Sequence, residues 1–200
     1  ALGSKLDFDN AAEKITVKAA DLQQAFDAFR ARQMEGDGSV PTEDKVELLR
    51  RLKALDDELN RHLATEYGLA PAKKDVFAAW LKSHQPFHWF VEFYGIMTAG
   101  GFDVIIGNPP YVSAAKVRQA YTVKNFATAD CSDIYAWVLE RGESLLRDGA
   151  RSGMIVPLSL GFSGDFDSCR RLLLREYGVN WFSSFGRIPA ALFAADVRVR

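Results

Sequence analysis

From residue 101 to residue 185, short β-branched runs alternate with helical stripes, and glycine or proline punctuates each change. No other feature of the chain constrains its fold as tightly. Phe102-Asp-Val-Ile-Ile106 is opened by Gly100-Gly101 and stopped by Gly107, the pattern of a buried parallel strand. Ile134 to Leu146 carries an apolar stripe of Ile134, Trp137, Val138 and Leu145 and predicts a helix ended by Asp148-Gly149. Met154-Ile-Val156 predicts a second strand, closed by Pro157. Phe166 to Tyr177 predicts a second helix stopped by Gly178; Trp181 to Phe185 predicts a third strand, and Val197-Arg-Val199 begins another. Alternation at this spacing predicts an α/β fold, an open parallel sheet with right-handed crossover helices. In such sheets ligands gather beyond the carboxyl ends of the strands, so the residues after Ile106 are where chemistry is expected.

The first half reads differently. Leu22, Ala25, Phe26 and Phe29 recur at helical spacing, and Glu35-Gly-Asp-Gly-Ser-Val-Pro-Thr42 is rich in turn residues. Thr42 is suited to cap a second helix, with Glu43 and Asp44 placing negative charge in its first turn. Leu48, Leu49, Leu52, Leu55, Leu59 and Leu63 then form a stripe that runs to Tyr67-Gly68. Residues 1–75 therefore predict a helical hairpin, either a spacer packed on a larger body or an arm facing DNA or a partner. Nine aromatic residues fall between Phe77 and Tyr111. Trp89, Phe90, Phe93 and Met97 stand one turn apart, as on a buried helix face, although aromatic clusters also stack bases. His84 and His88 are four residues apart, but Pro86 lies between them and no cysteine cluster accompanies them, so no metal site is assigned. His62, within the leucine stripe, carries no signal.

Composition narrows the function classes. With 48% apolar and 26% charged residues the chain is neither disordered nor fibrous, and its apolar runs are too short to span a bilayer. The two cysteines, Cys131 and Cys169, are far apart in sequence and suit buried thiols in a reducing cytoplasm. A net charge of −1 gives no global basic field, so any nucleic-acid role must rest on a local site.

That site is Asn108-Pro109-Pro110-Tyr111. Asn108 offers an amide carbonyl acceptor, and Pro109, lacking an N–H, presents only a carbonyl. Pro110 holds Pro109 extended, and Tyr111 supplies a flat face with a polar tip. Two acceptors beside an aromatic plane suit a planar group bearing NH₂, either a nucleobase amine or a carboxamide. Accepting both hydrogens of such an amine drives its nitrogen toward tetrahedral geometry and localises the lone pair for attack. Catalysis then rests on positioning and preorganised dipoles.

Phe102-Asp-Val-Ile-Ile-Gly-Asn-Pro-Pro-Tyr111 resembles the catalytic motif of adenine-N6 DNA methyltransferases of the gamma arrangement, found in type II and fused type IIG restriction–modification enzymes. The likeness extends through Ser83-His-Gln-Pro-Phe-His-Trp-Phe-Val-Glu-Phe93, Asp133-Ile-Tyr-Ala-Trp137, Gly153-Met-Ile-Val-Pro157 and Arg187-Ile-Pro-Ala-Ala-Leu-Phe193, and covers roughly residues 80–200. The resemblance implies transfer of a methyl group from S-adenosylmethionine to N6 of an adenine flipped out of double-stranded DNA. It implies that Asn108 and the Pro109 carbonyl bind the amino group and that Tyr111 stacks on the base. Phe193 falls where the family often places an aromatic on the base's other face, and equally reads as core. Lys116, Arg118 and Lys124 are candidate phosphate contacts or a solvated loop. Asp133 resembles a family position at a helix start, where it also serves as a first-turn carboxylate.

The family places a Gly-rich cofactor loop upstream of this motif, and residues 1–100 contain none; Gly36 and Gly38 lie between two helices. The chain therefore reads as an internal piece of a larger cytoplasmic enzyme. Residues 76–200 would form the catalytic half of a Rossmann-like methyltransferase sheet, preceded by the helical insertion, and the chain alone is expected to bind S-adenosylmethionine weakly or not at all. Enzymes that methylate a glutamine amide in translation release factors share the tetrapeptide, but carry their cofactor loop shortly before it. An RNA-base methyltransferase and an inactive structural module are the other readings of the same residues.

Overall fold

The leucine stripe forms the helix it predicts: α2 spans Thr42–Glu66, with Glu43 and Asp44 in its first turn. Its partner α1 spans Leu2–Met34. The structure, a computed structural model, describes residues 2–34, 42–120 and 123–185, with side chains from Glu13 onward. The chain divides into two units, Ala1–Thr98 and Ala99–Arg200.

In the first unit, α3 (Lys74–His84), α4 (Trp89–Glu92) and α5 (Tyr94–Thr98) follow the hairpin. The core joins Leu22 of α1 and Leu55 of α2 to Val91 and Tyr94, with Phe26, Leu52 and Leu59 around them. Phe26 meets Tyr94 edge-on at 5.2 Å, and Tyr94 Oη donates to Gln23 Oε1 at 2.8 Å. Lys18–Glu58, which is partly buried, and the more exposed Arg51–Asp21 ion pair cross between the helices and help set their register. The aromatic stripe expected to be buried is not the buried face. Phe90 and Phe93 remain partly exposed, while Val91 and Tyr94 go inside. Phe93 (φ −120°, ψ 42°) ends α4, and α5 begins at the next residue.

The second unit begins with β1 (Phe102–Gly107), then α6 (Ala114–Arg118), α7 (Tyr135–Ser144), β2 (Leu146–Met154), α8 (Ser159–Phe162), a 3-10 turn (Gly164–Phe166) and α9 (Asp167–Glu176). β1 and β2 pair in parallel and α7 lies on the connection between them, a β–α–β unit. Thus the fold is α/β, mostly helical, with a two-stranded parallel sheet among the described residues. Cys131, Tyr135, Ala136, Leu139, Leu160, Phe166, Cys169, Leu172 and Leu173 form the core.

Three expectations are corrected. Asp148-Gly149 does not end the first helix; α7 stops at Ser144, and these residues lie inside β2. Phe102 pairs with Leu146 but Val104 pairs with Arg151, so the intervening residues, with Gly149 at φ 72°, form an irregular bulge. Accordingly the second strand begins eight residues before Met154 and ends there. Trp181 to Phe185 make no strand: among the described residues they pair with no other backbone, and Trp181 is 91% exposed. Asn180 Nδ2 donates to the carbonyls of Leu173 and Tyr177, folding the chain back on the end of α9. Nor is β1 buried on both faces. Ile105 faces α7, where a methyl added to Gly142 would lie 3.8 Å from Ile105 Cγ2, whereas Val104 and Ile106 point to the opposite face and are 55% and 78% exposed. Val197–Val199 lie outside the described residues. No helix among the described residues is long and apolar enough to cross a membrane.

Candidate functional site

Parallel pairing brings the two carboxyl ends level, with Gly107 opposite Met154. The Ile155 N–H donates to the Gly107 carbonyl at 3.0 Å, extending the ladder one step past the strands. Asn108-Pro109-Pro110-Tyr111 leaves the sheet at that edge. Pro109 is buried, Asn108 and Pro110 are exposed, and Tyr111 is half-buried.

Tyr111 is held from two sides. Its ring meets Tyr135 edge-on, with centroids 6.3 Å apart at 86°, and Tyr135 in turn stacks on Phe166 at 4.8 Å and 23°. Its hydroxyl lies 2.6 Å from Asn108 Oδ1 and 2.9 Å from the Ile155 carbonyl oxygen. Partial burial raises the Tyr111 hydroxyl above the ordinary tyrosine range, so it is a neutral donor at pH 7. Tyr135 is fully buried and shifted upward for the same reason, with its hydroxyl 3.4 Å from Ser159 Oγ.

The chain beyond the motif is clipped back on itself. Ala114 N–H donates to the Ser132 carbonyl at 2.8 Å and Ile134 N–H to the Val112 carbonyl at 3.0 Å, around an antiparallel bridge between Ser113 and Asp133. Asp133 therefore stands before the first turn of α7. Farther along the loop, the Glu140 carboxylate accepts from Ala127 N–H and Thr128 N–H, both at 2.8 Å, and from Thr128 Oγ1 at 2.6 Å. Trp137 Nε1 donates to the Thr128 carbonyl at 3.1 Å. Arg118 donates to the Ala129 carbonyl and sits over the Trp137 ring, 5.5 Å from its centroid. Lys116 and Lys124 are exposed.

Of the residues singled out in the sequence, Asn108, Pro109, Pro110 and Tyr111 share one loop, and Asn108 and Tyr111 touch directly. Lys116 and Arg118 follow on α6; Arg118 is already engaged by a carbonyl and a ring. Phe193 lies outside the described residues. His84 closes α3 beside Ser83 Oγ at 2.8 Å, while His88 Nε2 is 2.9 Å from Asn60 Oδ1, and burial lowers the His88 pKa. No group of metal-ligating side chains forms among the described residues. The positive-φ glycines Gly68, Gly100, Gly101 and Gly149 lie at a helix end, before β1 and within β2. None of them leads from a strand's carboxyl end into a helix. Sequence reasoning missed the Ile155 carbonyl, the Tyr135–Phe166 stack and the Glu140 clamp. The carbonyl is visible only once the strand register is known.

The Eco57I restriction-modification methylase family matches residues 9–189. A Methanocaldococcus jannaschii protein provisionally named a type II restriction enzyme and methyltransferase is 34% identical over 92 residues, which are 46% of this chain and 8% of that protein. No solved structure matches the chain. The family match spans both units and includes the whole Asn-Pro-Pro-Tyr loop, and the chain belongs to the Eco57I restriction-modification methylase family.

Proposed function

We propose that this chain supplies the catalytic half of a DNA methyltransferase of the adenine-N6 type. It would methylate an adenine flipped out of double-stranded DNA, with S-adenosylmethionine as donor, as part of a restriction–modification enzyme. The observation that carries this reading is the Asn108 carbonyl at the carboxyl edge of a parallel sheet, where it accepts the Tyr111 hydroxyl at 2.6 Å. The family membership supports methylation, and the uncovered face of Val104 and Ile106 supports a larger sheet. A parallel sheet is ordinarily covered on both faces, so further parts of the enzyme would pack there and hold the donor.

In this reading Asn108 Oδ1 and the Pro109 carbonyl accept the two hydrogens of the adenine amine. The nitrogen is thereby pushed toward tetrahedral geometry, and its lone pair is freed to take the methyl group. Tyr111, backed by Tyr135, receives the base on its ring, and Phe193 closes the other face. Lys116 and Lys124 face the DNA phosphates, while Arg118 braces the loop through Ala129 and Trp137. No ionised side chain is needed as nucleophile.

Replacing Asn108 by alanine in the full-length methylase tests the reading. Methylation of an adenine-containing duplex should fall below detection, while the thermal melt and duplex affinity stay at wild-type values. An Asn108→Ala protein that methylates at the wild-type rate would refute it.

A further inference from the structure

A phenolic hydroxyl has one hydrogen, yet Tyr111 Oη lies within hydrogen-bond reach of two acceptors, Asn108 Oδ1 at 2.6 Å and the Ile155 carbonyl at 2.9 Å. The nearer acceptor is the oxygen that the amine-binding reading requires. An asparagine amide has ends of opposite polarity, and half a turn about its last bond exchanges them. Turned the wrong way, Asn108 would set its own NH₂ against the incoming NH₂, two donors with no hydrogen bond between them. Asn108 is exposed, so packing alone does not choose between the two orientations. The 2.6 Å separation is an O–H···O length, shorter than an amide N–H would make, which fixes the carbonyl end toward Tyr111.

We propose that the Tyr111 hydroxyl is a polarity key for Asn108: it holds the amide carbonyl-first, and it moves its hydrogen bond to the Ile155 carbonyl when the substrate amine arrives. This inference rests on the amine-binding role of Asn108 and adds a second role to Tyr111, separate from stacking. Ile155 makes the exchange cheap. Its carbonyl is fixed by the ladder bond from its own N–H to Gly107, so an acceptor waits at the same place in every turnover. The hydroxyl gives up Oδ1 without being left unpaired, and Oδ1 keeps its full acceptor strength as charge develops on the amine.

Tyr111→Phe separates the two roles because it keeps the ring and removes only the hydroxyl. In the full-length methylase, acting on a duplex with adenine at the target position, kcat should fall about three- to tenfold, the effect of one neutral hydrogen bond. KM for the duplex, and the fluorescence of 2-aminopurine placed at the target, should stay at wild-type values because stacking is intact. A wild-type kcat for Tyr111→Phe overturns the proposal, as does a loss confined to KM and to base fluorescence. Asn108→Ala measured alongside distinguishes the levels. Full activity in Asn108→Ala defeats the amine-binding reading itself, whereas an inactive Asn108→Ala beside a fully active Tyr111→Phe defeats only the polarity key.

Discussion

Gly101 stands at the entry to β1, six residues before Gly107 and the Asn-Pro-Pro-Tyr loop, and its replacement by alanine gives a sharp test of how the sheet is built. Its φ is +120°, a conformation side chains rarely adopt, and an added Cβ would lie 2.5 Å from the Leu145 carbonyl oxygen and 2.9 Å from both Arg147 N and Leu146 C. All three are backbone atoms, so no side chain can swing aside. The Leu145 oxygen also accepts the Phe102 N–H at 2.9 Å, so it cannot retreat without stretching the bond that starts β1. The positive φ costs about 1–2 kcal/mol and the weakened hydrogen bond about 1 kcal/mol more, so Gly101→Ala should lose about 3 kcal/mol of stability. Gly149→Ala is the internal control. It has φ 72° but nothing within 4 Å of the added carbon, so it should lose only the backbone part, about 1 kcal/mol. Urea unfolding followed by tryptophan fluorescence measures both. Equal losses in the two variants would refute the argument, because the collision with β2 would then cost nothing.

Two further outcomes follow from Glu140, which the sequence did not single out, and from the two cysteines, which it did. Glu140→Ala removes the acceptor of two backbone N–H groups and of the buried Thr128 hydroxyl, and should cost about 2–3 kcal/mol. Amide exchange at Ala127 and Thr128 should accelerate; unchanged protection there would show that Glu140 does not hold the loop. Burial pushes the Cys169 thiol up to about 12 and also raises Cys131, so the folded state favours the neutral thiols. Their contribution to stability is whole below the ordinary thiol pKa near 9 and is lost as pH climbs from there toward 12. The urea midpoint should therefore decline across that window, and a thiol reagent at pH 8 should label no faster than the protein unfolds. Rapid labelling of the native protein would count against the buried assignment.

The place of the Asn-Pro-Pro-Tyr loop at the end of a strand was legible in the sequence because the signals for it are local. Donors and acceptors belong to residue types, proline restrictions act on adjacent residues, and a glycine-bounded β-branched run announces the strand that presents them. The α2 leucine stripe and α9 were legible for the same reason, since periodicity over several turns is a property of consecutive residues. Where sequence reasoning failed, the outcome depended on distant partners. Asp148-Gly149 carries an honest turn signal, but pairing with β1 decides that the turn is a bulge inside β2. Trp181 to Phe185 has strand composition, yet a strand exists only where another backbone completes its hydrogen bonds. Packing against Leu22 of α1 and Leu55 of α2 buries Val91 and Tyr94, while Phe90 and Phe93 stay partly exposed.

By itself, then, the order of residues determined that a carbonyl pair and an aromatic plane follow a parallel-type strand. Only the tertiary structure decided which atoms surround them. The Ile155 carbonyl comes within 2.9 Å of Tyr111 because β2, 44 residues onward, runs beside β1 in one particular register, and Tyr135 backs the ring because α7 crosses between the strands. Contacts between residues far apart in the chain depend on the whole set of packing and hydrogen-bonding choices at once, and no short window of sequence contains them.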